Sequence, residues 1–233
     1  MLKEQENSMR RLTYIGHSAF FIEKDWDGIL IDPFISGNPK ANFDFKKKRI
    51  THIIVTHAHL DHLGDAIAIS KQTGATILAM VELANYCSEK GAKAVGVNIG
   101  GCLEFTWGSV RFLPALHSSS NPDLPYGGLA MSVLLDIDGT TIYHAGDTGL
   151  MSEFSLIGEM YNPYYALLPI GGHYTMDMKE AAMAAKMLFS MEIIPMHYNT
   201  FHNIKANVQD FVNLIESQGQ KCIPLEANGY VEL

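Results

Sequence analysis

Cysteine is scarce in this 233-residue chain. Only Cys87, Cys102 and Cys222 occur, an odd number, widely spaced and without a CxxC pair. That excludes a disulfide framework and a cysteine zinc knuckle, and it fits a reducing cytosol. Clustered positive charge is also lacking: 17 Lys and Arg stand against 25 Asp and Glu, for a net charge of −8. The one basic run, Lys46 to Arg49, is short and reads as a solvated turn. A polyanion binder needs grouped Lys and Arg, so nucleic acid is not an expected partner. No apolar run approaches the ~20 residues that span a bilayer. The N-terminal MLKEQENSMRRL is polar where a signal peptide has an apolar core. Neither export nor stable membrane insertion is expected, and the cytoplasm is the expected location. No low-complexity linker or short-period repeat divides the chain. Residues 1–233 therefore read as one domain, with 1–8 a loose tail and Met9 an alternative start.

Apolar residues are plentiful at 47%, enough for a sizeable core. Their pattern is bipartite. Strands are expected at Arg11 to Ile15, Ala19 to Glu23, Ile29 to Ile31, Ile50 to Val55 and Thr76 to Ala79, with helices at Asp65 to Lys71 and Val81 to Lys90. The order then repeats. Strands at Leu103 to Phe105, Val110 to Pro114, Leu129 to Ile137 and Thr140 to Tyr143 lead into helices at Met151 to Tyr161, Met178 to Leu188 and Asn207 to Gln218. Strands at Ala166 to Leu168 and Ile193 to Met196 lie between those helices. Two sheets face to face with helices outside, an α/β four-layer αββα sandwich, would bury these segments.

The stretch THAHLDHLGD, Thr56 to Asp65, concentrates three histidines and two aspartates directly after the β-branched Ile53-Ile54-Val55. In a turn leaving a strand, His57 and His59 can point the same way while Asp61 and His62 follow on the next bend. Imidazole nitrogen and carboxylate oxygen are the donors that zinc and similar divalent ions take. As an alternative use, Asp61 is placed to cap a helix starting near Leu63. Further donors stand at the ends of other apolar segments: His117 after Val110 to Leu116, Asp147 in HAGDTG, and His197 in PMHYNTF.

With these residues the chain resembles the metallo-β-lactamase-fold superfamily, whose HxHxDH signature is His57, His59, Asp61 and His62. The motifs GHSAF, LIDPF, GDTG, LPIGG and MHYNTF resemble the branch of L-ascorbate 6-phosphate lactonases and N-acyl-phosphatidylethanolamine phospholipases D, and within it a small uncharacterised prokaryotic group. The resemblance implies a first metal on His57, His59 and His117, a second on Asp61, His62 and His197, and Asp147 bridging both. It implies two divalent ions per chain, zinc or manganese. A hydroxide between them, formed because the ions lower the pKa of water toward ~7, would attack a phosphodiester or lactone of a small or lipid-like substrate. Asp61 is then a candidate proton acceptor as well as a ligand. The alternative is a non-catalytic metal-binding sensor or regulatory protein of the same fold.

Other residues carry narrower expectations. Asp32 is expected to orient a metal-bound imidazole, since such rings need a partner on their other nitrogen. His17 is expected either at the site wall or in a capped turn, and Thr148 and Asn199 either beside the ligands or capping helices. His52 and His144 lie in strands and read as packing residues. His173, in the loop GGHYTMD, is expected over the metals as a catalytic general acid. The oligomeric state is not legible.

Overall fold

The computed structural model describes residues 10–233, so the expectations for residues 1–8 and Met9 lie outside the described residues. The first half contains β1 (Arg10–Gly16), β2 (Ala19–Lys24), β3 (Asp27–Ile31), β4 (His52–Ile54), β5 (Thr76–Met80) and β6 (Ala94–Val97), with helices α1 (Leu60–Leu63), α2 (Ala66–Thr73) and α3 (Val81–Glu89). The second contains β7 (Cys102–Phe105), β8 (Gly108–Pro114), β9 (Met131–Ile137), β10 (Thr140–His144), β11 (Tyr165–Pro169), β12 (Glu192–Met196) and β13 (Lys221–Cys222), with α4 (Glu153–Tyr161), α5 (Met178–Met187) and α6 (Val208–Ser217). A last strand, β14 (Tyr230–Glu232), returns to the first half.

The two sheets have seven strands each, ordered β14-β1-β2-β3-β4-β5-β6 and β13-β12-β11-β10-β9-β8-β7. Each is antiparallel through three pairings and parallel through three. Alternation along the strands explains the layers. Phe20, Ile22, Ile31 and Ile54 join the large core that includes Phe112, Val133, Leu135 and Ile142 of the second sheet. Their neighbours Phe21, Leu30, Ile53 and Val55 instead meet Ile69 of α2 and Leu83 of α3. Strands buried on both faces read as continuous apolar runs, which is why these segments show so little polar alternation. The α/β four-layer sandwich expected from the pattern is the architecture observed.

Several boundaries differ from the sequence expectation. The strand expected over 50–55 shortens to His52–Ile54, although Thr51 and Val55 at its two ends still donate to the Gly28 and Leu78 carbonyls. The strands β6, β13 and β14 were not anticipated. They are short, two to four residues, and partly exposed, so they carry little apolar signal. The helix expected near Leu63 begins earlier, at Leu60, with His59 at its N-cap and no side-chain cap. Asp61 thus lies in its first turn rather than capping it.

Candidate metal centre

Strand β4 ends where Thr56 donates its N–H and its hydroxyl to the two oxygens of Asp32, at 2.8 and 2.7 Å. Asp32 is fully buried at the end of β3 and adopts a left-handed backbone, φ +45°. The next turn, α1, stops at Gly64 (φ +44°), where an added Cβ would lie 2.4 Å from the Pro33 carbonyl oxygen. A side chain there would push α1 off the Asp32 loop. These constraints deliver His57, His59, Asp61 and His62 to one edge of the first sheet. From the second sheet, His117 follows β8, Asp147 follows β10 and His197 follows β12. The Thr148 hydroxyl, accepting from Leu116 N–H at 3.0 Å, ties the His117 loop to the Asp147 loop. Asn199 clips its own loop through Ala206, at 2.9 and 3.0 Å, rather than capping a helix.

The seven residues converge. Asp147 Oδ2 lies 3.0 Å from His197 Nε2 and 3.5 Å from His117 Nε2, while Oδ1 lies 3.2 Å from His62 Nε2. His57 Nε2 and His59 Nδ1 are 2.9 Å apart, and the His117 ring stands 5.1 Å from that of His57 and 5.0 Å from that of His59. Two groupings bring one donor atom per residue within 4.8 Å of all the others: His57, His59 and His117, and His57, His62 and Asp147. A third does so for Asp61, His62, His197 and His17, which puts His17 beside the donors, the first of its two expected positions.

Hydrogen bonding sets which ring nitrogens face inward. His62 donates Nδ1–H to Asp32 Oδ2 at 2.7 Å. Because Thr56 gives its hydroxyl proton to Asp32, its oxygen accepts from His57 Nδ1–H at 3.0 Å. Both rings therefore turn Nε2 toward the centre. There, His62 Nε2, His197 Nε2 and Asp147 Oδ1 are buried and without hydrogen-bond partners. Buried polar atoms in natural proteins are nearly always satisfied, and a divalent cation would satisfy several of these together. The donor set, imidazole and carboxylate without thiolate, fits zinc or manganese. Without a cation, burial acts against the charged form of His62, but Asp147 and Asp32 outweigh it and raise the pKa well above the ordinary histidine value. Burial works against ionised Asp147 too, yet His197 and His62 hold it well below the usual carboxylate range. His57, fully buried and beside other histidines, is pushed well down.

A cavity of about 460 Å³ opens over the cluster, lined by His59, Asp61, His117, Ser118, Asp147, Tyr174, His197, Phe201, His202 and Asn203. His173 is exposed and is not part of that wall. Its ring packs edge-on against Tyr174, centroids 4.4 Å apart, and Tyr174 is the residue of this loop that reaches the cavity. Phe201, His202 and Asn203 were missed in the sequence, where their only signal is the short distance from His197. His144 is fully buried, bonded to the Ser18 carbonyl at 2.9 Å. His52 packs against Trp107 and Phe105.

Of the ten non-glycine residues with positive φ among the described residues, four belong to the centre or the loops that support it: His17, Asp32, His197 and Asn199. Strained backbone of this kind concentrates where geometry serves function. A family model described as the β-lactamase superfamily domain matches residues 28–198. A UPF0173 metal-dependent hydrolase of Staphylothermus marinus is 47% identical over 216 residues, covering 90% of this chain and 92% of that one. The chain belongs to this UPF0173 family. Another UPF0173 member, from Thermofilum pendens, is 44% identical across 96% of this chain and 99% of its own. Among solved structures, Igni18, described as a metallo hydrolase from Ignicoccus hospitalis, superposes with a TM-score of 0.89 at 39% identity, covering 97% and 99% of the two chains. The metallo-β-lactamase fold of this UPF0173 protein is thereby shown.

Proposed function

We propose that this UPF0173 protein is a dinuclear metal-dependent hydrolase of an ester-type bond, a phosphodiester or a lactone, in a small or lipid-like substrate. The observation that carries the reading is the convergence of donors from both sheets on unpartnered inward-facing nitrogen and oxygen atoms. His57, His59 and His117 would hold one ion, Asp61, His62 and His197 a second, and Asp147 both. Divalent ions bound there supply Lewis acidity, polarising a carbonyl or phosphoryl oxygen and acidifying water. Asp32 keeps His62 and His57 in the tautomer that presents Nε2. Asp61, whose carboxyl is held below the usual range against burial by the His17 hydrogen bond and His62, stays ionised and is placed to take a proton at the cavity floor. The loop carrying His173 contributes at the leaving-group side, with Tyr174 facing the cavity and His173 packed on its ring. The cavity wall of Phe201, Tyr174, His202 and Asn203 combines aromatic surface with hydrogen-bonding groups and, among the described residues, has no Lys or Arg. The motifs shared with the lactonase and phospholipase D branch support an ester-type bond.

The test is hydrolysis of bis(p-nitrophenyl) phosphate and of a small lactone by protein dialysed against a chelator, then resupplied with zinc or manganese, alongside elemental analysis. Roughly two ions per chain and activity that vanishes and returns are expected. Activity that survives metal removal refutes the reading, and two bound ions with no hydrolysis of any ester favour the sensor alternative.

A further inference from the structure

His17 lies in the turn between β1 and β2, fully buried and with φ +62°. Left-handed backbone is uncommon outside glycine, asparagine, aspartate and histidine, and here it aims the ring across the space between the sheets. Nε2 lies 3.1 Å from Asp61 Oδ2 and Nδ1 lies 3.0 Å from the Thr200 hydroxyl. The ring sits 4.0 Å from that of His197, between centroids. The His17 carbonyl also accepts the His197 N–H, at 2.8 Å, and the Tyr14 hydroxyl, at 3.1 Å. One residue of the first hairpin thus touches Asp61 on one side and His197 on the other, two donors that lie 136 positions apart by their numbers.

We propose that His17 is a positioning residue for the second ion: its Nε2–H fixes Asp61 Oδ2, which lies 3.9 Å from His197 Nε2, and so holds the carboxylate facing the second site. This inference rests on the metal reading above. A carboxylate free to rotate about its χ2 torsion loses orientation each time an ion leaves, whereas one tied at Oδ2 keeps it. Thr200 completes the arrangement. The Asp61 carboxylate can only accept, so the ring proton sits on Nε2, and Nδ1 of the neutral ring is left to accept from the Thr200 hydroxyl 3.0 Å away. His17 does not contact substrate, and it acts through Asp61.

The experiment is zinc titration of the ion-free full chain, in competition with a chromogenic chelator, for the wild type and variants. His17→Phe keeps the ring contacts and the carbonyl bond to His197 but removes the donor. It should weaken one of two uptake steps by about 10–100-fold, the range for a lost outer partner of a ligand, and leave the other step unchanged. His17→Gln restores an N–H near Nε2 and should recover uptake to within about threefold of wild type. In an Asp61→Asn background, His17→Phe should add no further loss, since residues acting through one contact do not add. Thr200→Val should weaken the same step less, and it carries the test if His17→Phe does not fold. Unchanged zinc uptake by His17→Phe overturns the proposal, as does a full additional loss in the Asp61→Asn background. Uptake by His17→Gln as weak as by His17→Phe also overturns it, showing that the imidazole itself binds the ion. A wild-type chain that takes up no zinc overturns the metal reading as well, and is told apart from these outcomes by the wild-type titration alone.

Discussion

Asp32 and His62 are joined by a 2.7 Å bond from Nδ1–H to Oδ2, with both side chains completely buried. The same oxygen takes the Thr56 hydroxyl, so one carboxylate governs His62 directly and His57 through one intermediary. Replacing Asp32 by Asn should reduce zinc affinity by about 10–100-fold, measured by chelator competition. Thr56→Val should have a smaller effect, because it frees only His57. Equal losses in the two variants would show that Asp32 matters through the loop and not through His62.

The leaving-group side of the cavity makes a separate expectation. If the Tyr174 hydroxyl donates the proton, Tyr174→Phe should slow hydrolysis of an alkyl ester by on the order of 10²-fold while sparing a nitrophenyl ester, which departs unprotonated. His173→Ala should give a smaller loss of the same kind by loosening the Tyr174 ring. A larger loss for His173→Ala than for Tyr174→Phe would return the donor role to the histidine. Metal content should be unchanged in both.

His52 supplies a pH dependence away from the centre. Trp107, 1% exposed, donates its indole N–H to His52 Nδ1 at 3.1 Å, a bond only the neutral ring can accept. Burial lowers the His52 pKa below the ordinary 6.5, Asp27 opposing and Lys93 reinforcing the shift. Below pH 6.5 the unfolded chain binds this proton more readily than the folded one, so the contribution is full above that pH and is lost as the pH falls toward the lowered value. Melting curves should show a stability gap between wild type and His52→Ala that narrows from pH 7.5 to pH 5. A gap that widens on acidification would contradict the neutral assignment.

Gly64 is expected to be irreplaceable at the turn after α1. Gly64→Ala combines a positive φ with a Cβ 2.4 Å from a backbone oxygen. The strain at such positions is of order 1–3 kcal/mol, and relief requires moving the loop that carries Asp32. The variant should melt lower and bind zinc more weakly. Gly74→Ala, also at positive φ (+78°) but with open space around its Cβ position, should bind zinc normally.

The layered architecture was legible because it is written in apolar alternation. Phe20-Phe21-Ile22 and Ile53-Ile54-Val55 announce strands buried on both faces, and the repeat of the pattern announces a second sheet. The donor positions were legible because HAHLDH, HAGD and MHYN all follow such strands. What was not legible depends on distance between segments. Nothing near His17 in the chain reports Asp61 or Thr200, which meet it only when the first hairpin crosses the second sheet's edge. The exposed strands β6, β13 and β14 earn their pairing from neighbours, not from their own residues. The direction in which a loop points is likewise set by its far contacts. The His173-Tyr174 pair shows this, since sequence alone could not say which of two adjacent side chains turns inward.

The donors are divided between the sheets, four from the edge beside β4 and three from loops after β8, β10 and β12. A cation held by both sets binds only to the closed sandwich, because neither half alone completes a coordination shell. Opening the molecule and releasing the ion are then one event seen from two sides. At a free ion concentration of 1,000 times Kd, that coupling adds about 4 kcal/mol to the cost of separating the layers. The zinc level of the surroundings would accordingly set how long the fold survives heat or a protease, quite apart from whether any substrate is turned over.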